Sequence, residues 1–418
     1  MKIAYVFPAL SSVCGADRVV TEKANYFADK LGYEVYLITT QQNGAPTFFP
    51  LSEKIKHIDL GVNFLRQYHH SFFVRGFIYL RLLRIYKKRL SILLKELNAD
   101  FVISTISRDI GFLNSIHDGS IKIAEAHAPK PYLRNFHLMQ KQTLLFRIAG
   151  KIGTKQMEKD IKKFDAFVVL TQNDADLWSK VRECTVIPNA LPFFPDKTSS
   201  CKNKSIISVG RLHEEKGYDR LIEAWAEVAP KHPDWKLNIY GNGILKYFLT
   251  NLIQEKGLTE SILIHDPVNN IIDKYIENSF YVMTSRFEAF GMVLIEAMAC
   301  GLPVISFNCP IGPVNIIGKN DGFLVKDGDI NKLAEKICYL IDNEDLRIQM
   351  GIAARNNVTC YKETIIMQKW IDLFKLLKDK QLKEKKRNEY LTQFIQIFSQ
   401  SYYTNNGHHP REKNGRIG

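Results

Sequence analysis

Along this chain, short uninterrupted apolar runs alternate with stretches in which apolar residues return every three or four positions. The runs in the first half are Lys2–Phe7, Glu34–Thr39, Lys56–Leu60, Phe101–Ser104, Lys122–Glu125, Ala166–Leu170 and Thr185–Ile187. The second half has Ser205–Val209, Lys236–Tyr240, Ile262–Ile264, Phe280–Thr284 and Pro303–Ser306. Helical spacing lies between them, over Asp17–Lys30, Tyr218–Val228, Ile244–Lys256, Met292–Ala299 and Ile330–Ile341. A strand that is apolar on both faces needs cover on both faces, and a helix after each strand provides it in a parallel sheet. Two such series, each opening with a strand and a glycine turn, predict an α/β protein of two Rossmann-like domains. The join is expected in Pro188–Lys204, where Pro, Ser and Lys break both periodicities.

The 418 residues are enough for two domains with cores of their own. No run approaches the ~18 apolar residues of a spanning helix. The opening MKIAYVFPAL feeds a glycine-containing turn and lacks a small-residue cleavage site, so it reads as a buried strand and not as a signal peptide. The 7 cysteines show no CxxC spacing, which points to reduced thiols in a cytoplasmic protein and to no zinc site.

The net charge of +13 is unevenly placed. Residues 62–95 hold eight Lys/Arg and no acid, residues 378–418 hold nine against four acids, and the rest is neutral. A basic excess confined to two segments fits a local anionic surface better than a nucleic acid, for which there is also no recognisable motif. Across 81–97, Leu82, Leu83, Tyr86, Leu90, Leu93, Leu94 and Leu97 recur at helical spacing while Arg81, Arg84, Lys88 and Lys95 fall to another side. That pattern suits a helix at an anionic lipid interface, and also an ordinary helix packed on a sheet with a solvated basic side. The tail Lys378–Ile397 repeats the theme more weakly, and the last residues have no core-forming pattern.

Two segments carry chemistry. In SIISVGRLHEEKGYDR (205–220), a strand ends at Gly210 and a helix starts after Gly217, with Arg211 and Lys216 in the turn. Cations beside a helix start can clamp a diphosphate and neutralise a departing nucleotide. In SRFEAFGMVLIEAMACGLP (285–303), Glu288 sits in the loop after a strand, Gly291 opens a helix and Glu296 lies along it. The amides of Phe290, Gly291, Met292 and Val293 are placed for phosphate, Glu296 for ribose hydroxyls and Glu288 for a sugar. Taken singly, each residue also reads as a surface charge or a satisfied helix residue.

Taken together, R-x4-K, E-x-F-G-x4-E and A-x-G-x-P-V resemble the retaining glycosyltransferase family 4 (glycosyl transferases group 1) of the GT-B fold. Arg211, Lys216, Glu288, Phe290, Gly291, Glu296, Gly301 and Pro303 carry the resemblance, which covers about residues 1–378. It implies two Rossmann-like domains facing each other across a cleft, with a C-terminal helix returning to the N-terminal domain. The expected limits are 1–190 for the acceptor domain, 191–360 for the nucleotide-sugar domain, 361–378 for the returning helix and 379–418 for a basic tail.

By the same resemblance, Arg211 and Lys216 contact the donor diphosphate, Glu296 the ribose, and Glu288 stands beside the transferred sugar. Front-face displacement with retention is implied, so the protein supplies positioning and charge stabilisation. The loop SSVCGADRVV (11–20) resembles the family's Gly-Gly-Ala-Glu-Arg-Val loop, with Cys14 in place of the first glycine and Gly15 as the second. His127, at a strand end in IAEAHAP, matches a histidine that reaches the donor sugar. Asn189 stands at the mouth of the linker, where lining the cleft and a turn role are both open. Gly241–Gly243 suits the nucleotide pocket, and Asp266–Asn269 lies where the fold holds the base. Pro310–Ile317 resembles a GPxEII variant of capsule and lipid-linked oligosaccharide enzymes, with Asn315 in place of Glu. The D-x-D strings at Asp174–Asp176 and Asp327–Asp329 read as helix caps, and no catalytic metal or other cofactor is expected.

The function implied is transfer of a hexose or N-acetylhexosamine from a UDP-sugar to a lipid-linked saccharide in surface polysaccharide assembly. The enzyme would be cytoplasmic and peripheral on the inner face of the membrane, held by residues 62–95. Two rivals stand beside it: a GT-B enzyme with a soluble acceptor, and a non-catalytic membrane scaffold of the same fold.

Overall fold

The sequence alternation becomes two parallel sheets in a computed structural model that describes residues 1–405 apart from 13, 70, 136, 137 and 139–143. The polar stretch 406–418 and, within the basic segment, residue 70 and the side chains of 69, 72 and 73 lie outside the described residues. The chain forms two compact units, Met1–Trp370 and the part from Ile371 onward.

Among the described residues, the N-terminal sheet has β1 (Lys2–Phe7), β2 (Glu34–Thr39), β3 (Lys56–Asp59), β4 (Phe101–Ser104), β5 (Ile121–Glu125), β6 (Ala166–Val169) and β7 (Thr185–Val186). Their order is β3-β2-β1-β4-β5-β6-β7 and every pairing is parallel. The helices are α1 (Gly15–Asp29), α2 (Phe72–Leu97), α3 (Leu144–Ile161) and α4 (Gln172–Trp178). β1 is an interior strand, with Tyr5 paired to Leu37 on one side and Ile103 on the other, and helices cover both of its faces, so its residues are buried. The face opposite α1 is filled by Tyr86, Leu90 and Leu94 of α2 and by Met157 and Ile161 of α3, packed with Ile110 and Phe112.

The C-terminal sheet has β8 (Ser205–Val209), β9 (Lys236–Tyr240), β10 (Ile262–His265), β11 (Phe280–Met283), β12 (Val304–Asn308) and β13 (Gly322–Lys326), in the order β10-β9-β8-β11-β12-β13. Its helices are α5 (Tyr218–Val228), α6 (Lys246–Glu255), α7 (Ile271–Ile276), α8 (Met292–Ala299), α9 (Ile330–Asp342) and α10 (Glu344–Asn357). Both sheets reverse direction beside their first strand, between β1 and β4 and between β8 and β11. Those switch points open crevices at the carboxyl ends of the strands.

The linker is not a free loop. Leu191 and Cys201 are buried in the C-terminal core, and the Leu191 amide donates to the Tyr361 carbonyl at 2.8 Å. The last helix, α11 (Glu363–Asn405), begins against the N-terminal domain: Ile366 and Met367 line a small cavity with Val19 and Lys23, and the Trp370 ring lies 4.2 Å from Lys23 Nζ. It is one continuous helix through 378, where the sequence suggests a tail. Asn189 lines that same cavity beside α1 and α11, a packing position. All seven cysteines are free thiols. Among the described residues, no helix is long and apolar enough to cross a membrane.

Candidate active site

Of the predicted donor residues, Lys216 and Glu288 meet at the β8/β11 switch point. Lys216 Nζ donates to Glu288 Oε1 at 2.5 Å, and Ser285 Oγ donates to the same oxygen at 2.8 Å. The two side chains are only 20% and 12% exposed. Arg211 stands apart at the rim, half exposed and paired with Glu215 at 2.8 Å. A lysine and a glutamate, bonded at the mouth of a strand crevice, form a charge pair ready to exchange partners with an anionic ligand.

Backbone contacts explain why the two loops meet. Gly217 has φ +64°, and a Cβ there would lie 2.2 Å from the Thr284 carbonyl oxygen, so glycine lets the 211–217 turn press against the end of β11. Thr284 Oγ1 donates to the Lys216 carbonyl at 3.2 Å. Arg286, which the sequence reading passes over, is the main staple. Its guanidinium donates to both Asp219 oxygens, at 2.9 and 2.6 Å, and to the Glu214 carbonyl at 2.8 Å. Burial alone would raise the Asp219 pKa, and the Arg286 fork more than offsets it.

Gly241 and Gly243 are explained by packing. A Cβ at Gly241 would lie 1.9 Å from the Gly210 carbonyl oxygen, and one at Gly243 2.5 Å from that of Leu212. The turn thus supports the Arg211 loop from below, with the Leu212 amide donating to the Asn242 carbonyl at 2.9 Å.

Below Glu288 lies the Pro310–Ile317 segment. Ile311 bridges in parallel to Glu288 and has φ +86°, a strained setting for a β-branched residue. Asn315 Nδ2 donates to the Ile311 carbonyl and so ties this loop to itself. Phe290 is core, edge-on to Tyr361 at 5.3 Å, which leaves only its backbone to face a ligand. Gly291, at φ +102°, turns the chain into α8, whose first amides have no acceptor within the helix. Met292 and Val293 are partly exposed there, on the first turn.

Glu296 is buried, and both of its oxygens are engaged: Tyr275 Oη donates at 3.1 Å and Arg18 Nη1 at 3.2 Å. Burial raises its pKa, and Arg18 and Tyr275 hold it back. Arg18 belongs to α1, so the pair links the two domains. Gly15, at the start of α1, is exposed, and a Cβ there would touch nothing within 4 Å.

His127 lies just past β5, its Nε2 3.5 Å from Glu125 Oε1 and without a hydrogen-bond partner among the described residues. Glu125 in turn forms a buried ion pair with Lys23 of α1. Burial would raise the Glu125 pKa, yet Lys23 and His127 together draw it down to about 2. Neither Lys23 nor Glu125 is picked out by motif. The available signal was a lysine on the apolar side of α1, among Val19, Val20 and Phe27. Five residues after His127, Tyr132 stacks on Phe287, the neighbour of Glu288, with ring centroids 3.9 Å apart. This contact brings the His127 and Glu288 loops to one cleft.

Both D-x-D strings have structural roles. Asp174 accepts from the Lys130 amide at 3.0 Å and Asp329 caps α9 through the Lys332 amide at 3.0 Å, while Asp327 pairs with Arg220 at 2.8 Å. Asp266, in the expected base-binding stretch, pairs with Lys246 at 2.6 Å. Among the described residues, no group of three or more His, Cys, Asp or Glu is placed to hold a metal ion.

Two Rossmann-like domains, with the cation–carboxylate cluster at the second switch point, define a GT-B glycosyltransferase. Residues 193–357 match the model for glycosyl transferases group 1. Over 374 residues it is 29% identical to an uncharacterised glycosyltransferase of Haemophilus influenzae, covering 88% of this chain and 98% of that one. It is 34% identical over 147 residues to a Campylobacter jejuni N-acetylgalactosamine-N,N'-diacetylbacillosaminyl-diphospho-undecaprenol 4-alpha-N-acetylgalactosaminyltransferase, 35% of this chain and 40% of that one. In fold it is similar to Staphylococcus aureus TarM, a point mutant of which was solved with fondaparinux, alpha-GlcNAc-glycerol and UDP. The TM-score is 0.71 at 17% identity, over 89% of this chain and 99% of that one.

Proposed function

We propose that this glycosyltransferase moves a hexose or N-acetylhexosamine, with retention of configuration, from a UDP-sugar to a lipid-linked saccharide. The transfer takes place at the cytoplasmic face of a membrane, during assembly of a surface polysaccharide. The observation that carries the reading is the Lys216–Glu288 pair at the mouth of the β8/β11 crevice, one turn of chain from the start of α8. On donor binding, Lys216 and Arg211 take the diphosphate beside the α8 amides, Glu296 exchanges Arg18 for the ribose hydroxyls, and Glu288 is left facing the sugar. The bond from C1 to the phosphate oxygen breaks as the bond from C1 to the acceptor oxygen forms on the same face. The acceptor proton passes to the leaving phosphate, whose growing charge the two cations stabilise. His127, steadied by Glu125 and Lys23, reaches the sugar from the opposite domain. No metal is required in this scheme.

The choice of UDP is supported by the nucleotide bound to TarM, and the lipid-linked acceptor by the name of the Campylobacter relative. It is supported too by the exposed cations of α2, with Arg81, Arg84, Lys88 and Lys95 turned to solvent while Tyr86, Leu90 and Leu94 are buried.

A donor screen tests the proposal: purified protein with each common UDP- and GDP-sugar, EDTA present, membrane-lipid extract as acceptor, and released nucleotide as readout. Release from one UDP-sugar that depends on the extract is expected, with loss on the order of 10²–10³-fold in Lys216→Ala and Glu288→Ala. Turnover only with a soluble sugar acceptor, or none with any donor, would overturn it.

A further inference from the structure

Helix α3 presents aliphatic side chains on the wrong side for a helix that only packs on a sheet. Its inward side is satisfied by buried Met157 and Ile161. On the opposite side Leu144, Ile148 and Ile152, one turn apart, are 68%, 48% and 62% exposed. Lys151, Lys155 and Lys159 are interleaved with them at the same spacing, all exposed. The acids of this helix are directed elsewhere: Glu158 pairs with Lys130 at 3.0 Å, and Asp160 is buried. The outward stripe is therefore aliphatic and purely cationic, the reverse of the polar outer side of a water-exposed helix.

We infer that α3 is a membrane-docking helix that inserts Leu144, Ile148 and Ile152 into the acyl boundary of an anionic bilayer. Lys151, Lys155 and Lys159 meet the lipid phosphates. Lysine suits this role because its stem lies along the apolar layer while its ammonium reaches the headgroups. Charge complementarity favours an anionic lipid surface, and exposed Arg147 extends the lysine row by one turn toward the start of the helix. The crossovers carrying α2 (β3 to β4) and α3 (β5 to β6) run in the same direction along the sheet. Right-handed connections therefore place both helices on one face, and both pack on the turn Arg108–Gly111. The inference rests on the proposed action at a membrane and adds an inserting contact to the basic one on α2.

The test is flotation of the full chain with vesicles of phosphatidylcholine, with and without phosphatidylglycerol. Wild-type protein is expected to float with the anionic vesicles. The triple variant Leu144→Ser, Ile148→Ser, Ile152→Ser keeps every charge and should float about tenfold less. In a second variant, Ile152→Trp, brominated acyl chains should quench the added fluorescence. A UDP-dependent thermal shift, measured in parallel, reports the donor site independently, so that loss of vesicle binding alone leaves that site intact. Full flotation of the serine variant with an unquenched Trp would assign the membrane contact to α2 and overturn the inference while sparing the membrane reading. Absence of wild-type binding to any vesicle would overturn both, as would a wild-type dimer that the serine variant dissolves.

Discussion

At the scale of single residues, the least comfortable group lies outside the donor cluster. Asp109 is fully buried, and neither carboxylate oxygen has a hydrogen-bond partner among the described residues. Burial pushes its pKa up to about 6. Because the folded-state value exceeds that of an unfolded chain, the native protein holds this proton more tightly. Stability is full below about pH 4 and is lost as pH rises through 6, by about 3 kcal/mol for a rise of roughly two pH units in the pKa. Asp109→Asn should therefore gain on the wild type by about 2–3 kcal/mol in urea unfolding between pH 4.5 and pH 8. A difference between the two proteins that stays constant over that range would show that Asp109 does not titrate there. The sequence reading passes over this residue, because a lone Asp in SRDIG looks like any loop acid.

Among the elements, the active cluster depends on two loops being held in register, and Arg286 does most of the holding. Arg286→Ala should lower kcat on the order of ten- to a hundredfold by letting Lys216 drift from Glu288, with Arg286→Lys recovering little because it lacks the planar fork. Steady-state kinetics with the donor that the screen selects would show it, and unchanged kcat in both variants would count against the staple. What was legible from sequence follows the same division. β1, β2, β4, β8 and β9 match their apolar runs to the residue, because central strands are apolar on both faces and leave a continuous signal. β13 was missed since GFLVK is an edge strand with Leu324 exposed, and its run is short. The meeting of Lys216 with Glu288 was legible because both motifs follow the ends of adjacent strands. Arg286, Lys23 and Glu125 were not: their roles come from partners 67 to 102 positions away, which no local spacing encodes.

For the molecule as a whole, side chains of the two domains of the first unit meet at the cleft. Tyr132 stacks on Phe287, and Arg18 holds Glu296. A parallel ring pair of this kind contributes about 1 kcal/mol beyond its buried area. Tyr132→Ala and Phe287→Ala should each lower kcat/KM about fivefold, and the double variant should lose no more than the worse single one. Independent, multiplying losses would show that the two rings do not act as one closure contact.

Lys23 has a further consequence, one of timing. The lysine that holds Glu125 beside His127 is roofed by the indole of Trp370. A chain emerging from the ribosome delivers residues 1–190 long before that indole exists, and domains fold as they emerge. The first domain therefore stands without its cover over the Lys23 ammonium until Trp370 has been made. Any truncation before residue 370 should leave an N-terminal half that looks folded and a histidine that is not yet set.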